Sequence, residues 1–261
     1  MKFVRRLRRR GHIVMFHTGR VGSTVVGDLV GQNASVYWDG EIYNRYIEEH
    51  QSNGGTLEEL TGHDEGAILQ DCLGQRGGAY YGFEASFAQL NLLGTTLTSF
   101  VEGLESDLRN VHFVLLERRN LLRVIVSLRI GRQTGKMHLR PGEKARSARV
   151  VLNPSDVSLR PGIVRPLVDL IAHYTQCVTE AQQVLIAERG GLHLTFEDDV
   201  AAGPERACRR LCEYVGLPPH DVTVQLRRTN PQPVRDLIEN VEEVAAALAG
   251  TGFEWMLNED G

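Results

Sequence analysis

Thr18-Gly19-Arg20-Val21-Gly22-Ser23-Thr24 is the segment of this chain best suited to holding an anion. It follows Ile13-Val14-Met15-Phe16, an apolar run that reads as a buried strand, and it precedes the helical spacing of Val25, Val26, Leu29 and Val30. A strand, a glycine turn and a helix start bring backbone N–H groups and the positive end of a helix dipole to one point. Glycine lets the backbone approach a ligand closely. The expected ligand is phosphate-like. The nucleoside-triphosphatase loop, Gly-x-x-x-x-Gly-Lys-Ser/Thr, has a lysine after its second glycine. Here Ser23 fills that slot, and the cation, Arg20, comes two residues before Gly22.

A second set of residues lies after the run His112-Phe113-Val114-Leu115-Leu116. Arg119 falls at the carboxyl end of that expected strand, where open α/β sheets bind ligands. Ser127 is eight residues further on. That is about two helical turns, so it shares a face with the start of the following helix. An arginine fork and a hydroxyl suit a terminal phosphate. For proton transfer the candidates are Glu41, Asp39, Glu84 and a histidine. Glu41 sits among Tyr37, Trp38, Tyr43 and Tyr46, aromatics that suit either core packing or the face of a sugar. His17 is expected to support the loop.

The elements that must position these groups follow from the pattern. Short apolar runs at 12–16, 79–83, 112–116 and 192–195 read as strands. Helical spacing covers 23–31, 42–50, 64–74, 96–104, 121–130, 166–187, 204–215 and 241–248. Such alternation predicts an α/β fold, a parallel sheet with helices on both faces, in a single domain over residues 1–261. The segment 131–162 is rich in Gly, Pro, Arg and Lys and reads either as a lid or substrate loop or as a mobile connection.

Hydrophobic residues make up 42% and charged residues 24% of the chain, as in a globular protein. A net charge of −4 argues against wholesale nucleic-acid binding. Cys72, Cys177, Cys208 and Cys212 form no metal-binding pattern; reduced thiols and a cytoplasmic location are expected. Residues 1–10 are strongly basic with no apolar stretch behind them, which is unlike a secretory signal. They read as a solvated tail or as a contact for an anionic membrane surface or a polyanionic substrate. No apolar run is long enough to span a membrane.

Taken together, the two anion segments resemble a known family. His17-Thr18-Gly19-Arg20-Val21-Gly22-Ser23-Thr24 resembles the 5′-phosphosulfate loop of sulfotransferases that use 3′-phosphoadenosine 5′-phosphosulfate (PAPS). Arg119-Asn120 with Ser127 is similar to their 3′-phosphate motif. Leu194-Thr195-Phe196-Glu197-Asp198 and the helix that follows, ending at Leu217-Pro218, are similar to the family's Tyr-Glu-Asp element, and Arg228-Thr229-Asn230-Pro231, Ile238-Glu239-Asn240 and Gly250-Thr251 resemble bacterial carbohydrate sulfotransferases of the nodulation-factor type. The resemblance implies a P-loop-type sheet. It also implies that Arg20 meets the bridging oxygen and the sulfonate, and that Thr18, Gly19, Val21, Gly22, Ser23 and Thr24 cradle the 5′-phosphate. Arg119 and Ser127 would hold the 3′-phosphate, and Phe196 would lie near the adenine, where the family usually has tyrosine. The lysine that many relatives carry near residues 83–86 has no counterpart here.

The expected reaction is then sulfuryl transfer to a hydroxyl of a glycan, glycolipid or other small acceptor, with Glu41 as base and adenosine 3′,5′-bisphosphate (PAP) as product. No metal is expected, since no aspartate suited to magnesium follows residues 112–116. A P-loop nucleotide or sugar kinase is the alternative enzyme, disfavoured by the missing Gly-Lys-Ser/Thr. A non-catalytic nucleotide-binding module is the alternative outside catalysis.

Overall fold

The computed structural model describes residues 9–61, 65–74, 78–140, 142–143, 148–160 and 163–258. The basic stretch 1–8 therefore lies outside the described residues, as do Asp64 and, within 131–162, residues 141, 144–147 and 161–162.

In chain order the elements are β1 (Gly11–His17), α1 (Ser23–Gly31), β2 (Val36–Trp38), α2 (Ile42–Ser52), α3 (Glu65–Gly74), β3 (Tyr80–Ser86), α4 (Phe87–Leu93) and α5 (Leu97–Asp107). Then follow β4 (Val111–Glu117), α6 (Leu121–Thr134), β5 (Val157–Arg160), β6 (Ile163–Arg165), α7 (Leu167–Ala181), β7 (Leu192–Thr195), α8 (Glu205–Val215) and α9 (Val241–Leu248). Five strands form one sheet in the order β2-β3-β1-β4-β7, and every neighbouring pair is parallel. Parallel neighbours need crossover connections, which the helices supply.

The strand β1 lies at the centre, buried along its whole length. Its side chains alternate between two cores. Val14 and Phe16 join the core under α2, α3, α4 and α5; Ile13 and Met15 join the core under α1 and α8. Phe113 and Leu115 of β4 join the first, Val114 and Leu116 the second. Covered on both faces, these strands are apolar runs rather than alternating ones. The expected α/β fold, a parallel sheet with helices on both faces, is what the structure has. A third core joins α6, α7 and α9.

All four expected strands are present, and α1 and α9 have the expected bounds. The strand β2 has only three residues and carried no periodic signal of its own. The helix α4 begins directly at the end of β3 without a turn; a capping box between Ser86 and Gln89 starts it. The expected helix 166–187 is α-helical to Ala181 and then widens into a π-helical stretch, Gln182–Ala187. The described residues of 131–162 carry more regular structure than the composition suggests. The first of them finish α6, Leu139 pairs with Arg227, Val150 pairs with Ile238, and β5 forms a hairpin with β6. The four cysteines are free thiols. No helix among the described residues is long and apolar enough to cross a membrane.

Trp38 at the end of β2 is wedged between Gly27 of α1 and Gly82 of β3, and a Cβ at either glycine would overlap the indole. The wedge aims the indole N–H at Glu84 Oε1, 3.0 Å away. Because β3 is flanked by β1 and β2, the backbone at Gly82 has little room to yield. Gly82→Ala is expected to destabilise the fold by about 1–3 kcal/mol, the usual penalty of overpacking. A urea midpoint lowered at constant slope checks it; an unchanged midpoint would mean that the indole packs loosely.

Candidate active site

The link from β1 to α1 runs through Gly19, Arg20 and Gly22 with φ of +87°, +53° and +86°. Arg20 is not glycine, so its left-handed backbone costs roughly 1–2 kcal/mol and is held by its surroundings. The reason is visible in its side chain. Its guanidinium donates to Ser127 Oγ at 3.1 Å, to the Met137 carbonyl at 2.8 Å and to Thr229 Oγ1 at 3.2 Å. Its acceptors are neutral oxygens, and burial pushes its pKa down while Glu41 pulls it up. The helix α1 begins at Ser23 without a capping side chain, so its first-turn N–H groups face the space in front of the loop. A Cβ on Gly22 would come within 2.9 Å of Val200 and 3.5 Å of Phe196. The left-handed turn and the close approach both demand glycine here.

In front of the loop lies a cavity of about 660 Å³. Thr18, Gly19, Arg20, Gly22, Ser23, Thr24, Glu41, Ser127 and Phe196 all line it. Val21 does not, since its side chain is fully buried in the core beneath α1. Six arginines and two glutamates face the cavity, in a chain whose net charge is −4. The cationic side is built by the end of β4, α6 and residues 227–230. Arg118 is buried and stacks over Phe196 at 3.9 Å, with Arg228 over the same ring at 5.2 Å. Burial first, then Arg123, lowers the Arg118 pKa to about 9, with Glu197 opposing. Arg123 donates to the carbonyls of Asn230 and Gln232 and fastens residues 230–232 to α6.

The structure does not bring Arg119 and Ser127 together. Arg119 is exposed and points away from the cavity. Its guanidinium forms a bidentate pair with Asp198 at 3.0 and 3.1 Å, and its N–H donates to Glu197 Oε1. Successive residues leaving a strand face opposite ways, so only one of the adjacent arginines enters the cavity, and it is Arg118. Ser127 meets Arg20 instead, which joins the two anion segments across 107 positions of sequence.

The opposite side of the cavity is acidic. Glu41 lies at the N-terminal cap of α2, and its Oε2 accepts from Gln89 Nε2 at 2.6 Å. Gln89 is fully buried, and its other end accepts the Ser86 N–H at 2.8 Å, which fixes which way the amide points. Asp39 is elsewhere, held by Tyr81 at 2.7 Å and Arg45 at 3.2 Å. Glu84 is behind the loop rather than in the cavity. Trp38 and Ser23 donate to it, and His17 Nε2 is 3.3 Å from its Oε2, an off-line ion-pair contact. Burial raises the Glu84 pKa, but His17, Ser23 and Trp38 outweigh it, leaving the carboxyl below its ordinary range. For His17, burial disfavours the imidazolium while Glu84 and Glu41 favour it, with a net upward direction. The Gly19 N–H donates to Nδ1 at 3.0 Å, so the neutral tautomer that fits carries its proton on Nε2. His17, Glu41 and Glu84 also offer ligand atoms within 4.8 Å of one another, a spacing that could hold a metal ion.

Of the proton-transfer candidates, Glu41 and His17 reach the cavity; Asp39 and Glu84 do not. The aromatics near Glu41 are core. Tyr37 stacks on Tyr81, Tyr43 packs on Phe83 and Phe100, and none of the four lines the cavity; of the two readings their types allow, core packing is the one found. Sequence reasoning missed Arg118, Gln89, Arg123 and His138. Only Gln89 had a local signal, the Ser86-x-x-Gln89 spacing of a capping box.

Among solved structures, the chain is similar to a sulfotransferase domain from the curacin biosynthetic pathway, with 16% identity and a TM-score of 0.46 over 82% of this chain and 76% of that one. No family model matches, and no curated protein matches.

Glu84 predicts a pH signature. Its folded pKa is depressed, so its contribution to stability is present above its ordinary value of 4.5 and is lost as pH falls below it. Glu84→Gln is expected to cost about 3–5 kcal/mol at neutral pH, the penalty of breaking a buried pair from one side. It should also flatten the acid limb of a stability-versus-pH curve. An acid limb of unchanged slope in the variant would show that Glu84 is not the titrating group.

Proposed function

We propose that this chain transfers a sulfuryl group from PAPS to an acceptor hydroxyl, on a glycan or glycolipid, and releases PAP. The observation that carries the reading is Arg20. It lies in a lysine-free glycine loop at the start of a helix, and it reaches across the cavity to Ser127, so one cation bridges two anion-binding segments. A 5′-phosphate at the first-turn N–H groups of α1 and a 3′-phosphate near Ser127 match a nucleotide phosphorylated at both ends. Phe196 offers its ring to the base between Arg118 and Arg228.

Transfer is an in-line displacement: the acceptor oxygen bonds to sulfur as sulfur's bond to the bridging phosphate oxygen breaks. Glu41 takes the acceptor proton, and Gln89 holds the carboxylate in place to do so. Arg20 offsets the charge that grows on the leaving oxygen, an effect worth about 10²–10³ in rate. Arg118 is buried near Arg123, Arg228 and Arg20, and an anion brought into the cavity would relieve that crowding of positive charge.

The direct test is transfer of radiolabelled sulfate from PAPS to a glycan pool. Wild-type protein should label it; Arg20→Ala and Glu41→Gln should each lower the rate by about 10²-fold or more. Labelling unaffected by Arg20→Ala would refute the mechanism, and binding of ADP with magnesium in preference to PAP would favour a kinase. A second test separates the adjacent arginines. Arg118→Ala should weaken calorimetric PAP binding about tenfold or more, the value of a charge-assisted hydrogen bond, and Arg119→Ala much less. The reverse order would assign the phosphate to Arg119, freed from an exposed ion pair that costs about 0–1 kcal/mol to break.

A further inference from the structure

Three side chains converge at the foot of the loop without satisfying one another. His17 ends β1, Glu84 lies on the neighbouring β3, and Glu41 stands at the start of α2. His17 Nε2 and Glu84 Oε2 are buried and 3.3 Å apart, but their alignment is too poor for a hydrogen bond. Neither atom has another partner among the described residues. Buried polar atoms left over in this way point to a group that would satisfy both. A Glu41 carboxylate oxygen completes a set of three ligand atoms within 4.8 Å of one another.

The dimensions suit zinc. Zinc binds imidazole nitrogen and carboxylate oxygen at about 2.0–2.2 Å in a tetrahedron, which sets neighbouring ligand atoms about 3.3–3.5 Å apart. His17 and Glu84 already have that spacing, on adjacent strands that hold it. Glu41, half-buried at the cavity, has only to close in. Both carboxylates are oriented from outside the set, as metal ligands need to be. Trp38 donates to Glu84 Oε1 at 3.0 Å, and Gln89 donates to Glu41 Oε2 at 2.6 Å. Two carboxylates and a neutral imidazole balance a divalent charge. His17 and Glu41 line the cavity, so an ion has a way in. Magnesium, which takes oxygen ligands in an octahedron and keeps its waters, is poorly served by this set.

We infer that His17, Glu41 and Glu84 form a zinc site, and that zinc bound there switches the cavity off. The blocking effect rests on the proposed transfer reaction; the binding does not. Zinc on Glu41 occupies the carboxylate that would take the acceptor proton. It also sends the imidazole proton to Nδ1, where the Gly19 N–H points. That peptide must then turn, and Gly19 has open space where a side chain would be. Turning it disturbs the loop that would hold the 5′-phosphate. Zinc and PAP therefore weaken each other's binding by the same factor.

The experiment is calorimetric titration of the full chain with zinc chloride and with magnesium chloride, then of zinc-loaded and zinc-free protein with PAP. One zinc should bind per chain, much more tightly than magnesium. Glu41→Gln and His17→Gln should each weaken zinc at least tenfold; if His17→Gln fails to fold, Glu41→Gln alone decides. Zinc-loaded protein should bind PAP at least tenfold more weakly than zinc-free protein. No zinc binding, magnesium bound as tightly as zinc, or zinc held equally well by the Glu41→Gln protein, as on the cysteine thiols, would each overturn the site. Undiminished PAP binding by the zinc-loaded protein would overturn the switch. Wild-type protein that binds zinc as described but no PAP would defeat the transfer reading and leave the zinc site standing.

Discussion

The site hangs on one buried carboxylate. Glu84 is 2% exposed in the middle of β3, and a charge there is tolerable only if it is paired and hydrogen-bonded. Its partners come from three other elements: His17 ends β1, Ser23 opens α1, and Trp38 ends β2. Each is thereby placed to within hydrogen-bond reach of the same group. His17 in turn accepts the Gly19 N–H, so the pairing sets the start of the loop as well as its end. The loop then follows its left-handed path to Gly22 with both ends fixed. The carboxylate need not touch a ligand to decide where the ligand goes.

From that anchor the cavity divides by charge. Arginines from the loop, the end of β4, α6 and the segment after α8 converge on one side; the carboxylates and amides of α2 occupy the other. Arg20 and Glu41 face each other near the division, close enough for Glu41 to oppose the lowering of the Arg20 pKa by burial. A donor rich in negative charge and an acceptor with protons to give would meet there. The groups that would handle them are fixed in advance: Arg20 by three hydrogen bonds, Glu41 by the Gln89 amide. Such preorganisation is how positioning and electrostatics supply a rate without covalent chemistry.

The strands and the loop were legible because they rest on short-range rules. Four buried apolar runs with glycine and helix signals between them can form little else than a parallel sheet, and Gly22 needed only its neighbours to be read as a turn. What failed depends on direction rather than type. Glu117-Arg118-Arg119-Asn120 contains two adjacent arginines, and the side chain that enters the cavity is decided by how β4 exits the sheet. The aromatics around Glu41 were near it in sequence but belong to the core, because β2 turns Tyr37 and Trp38 onto β3. Gln89 was readable as a helix cap, yet its contact with Glu41 spans 48 positions and has no sequence signature.

The proposed transfer requires that this cavity hold an adenosine nucleotide phosphorylated at both its 5′ and 3′ positions. A crystal structure of the full chain with PAP tests it most directly. The 5′-phosphate should lie on the N–H groups of Gly22, Ser23 and Thr24, the 3′-phosphate beside Ser127, and the base against Phe196. PAP bound outside the cavity, or absent from crystals in which ADP and magnesium occupy the loop, would contradict it.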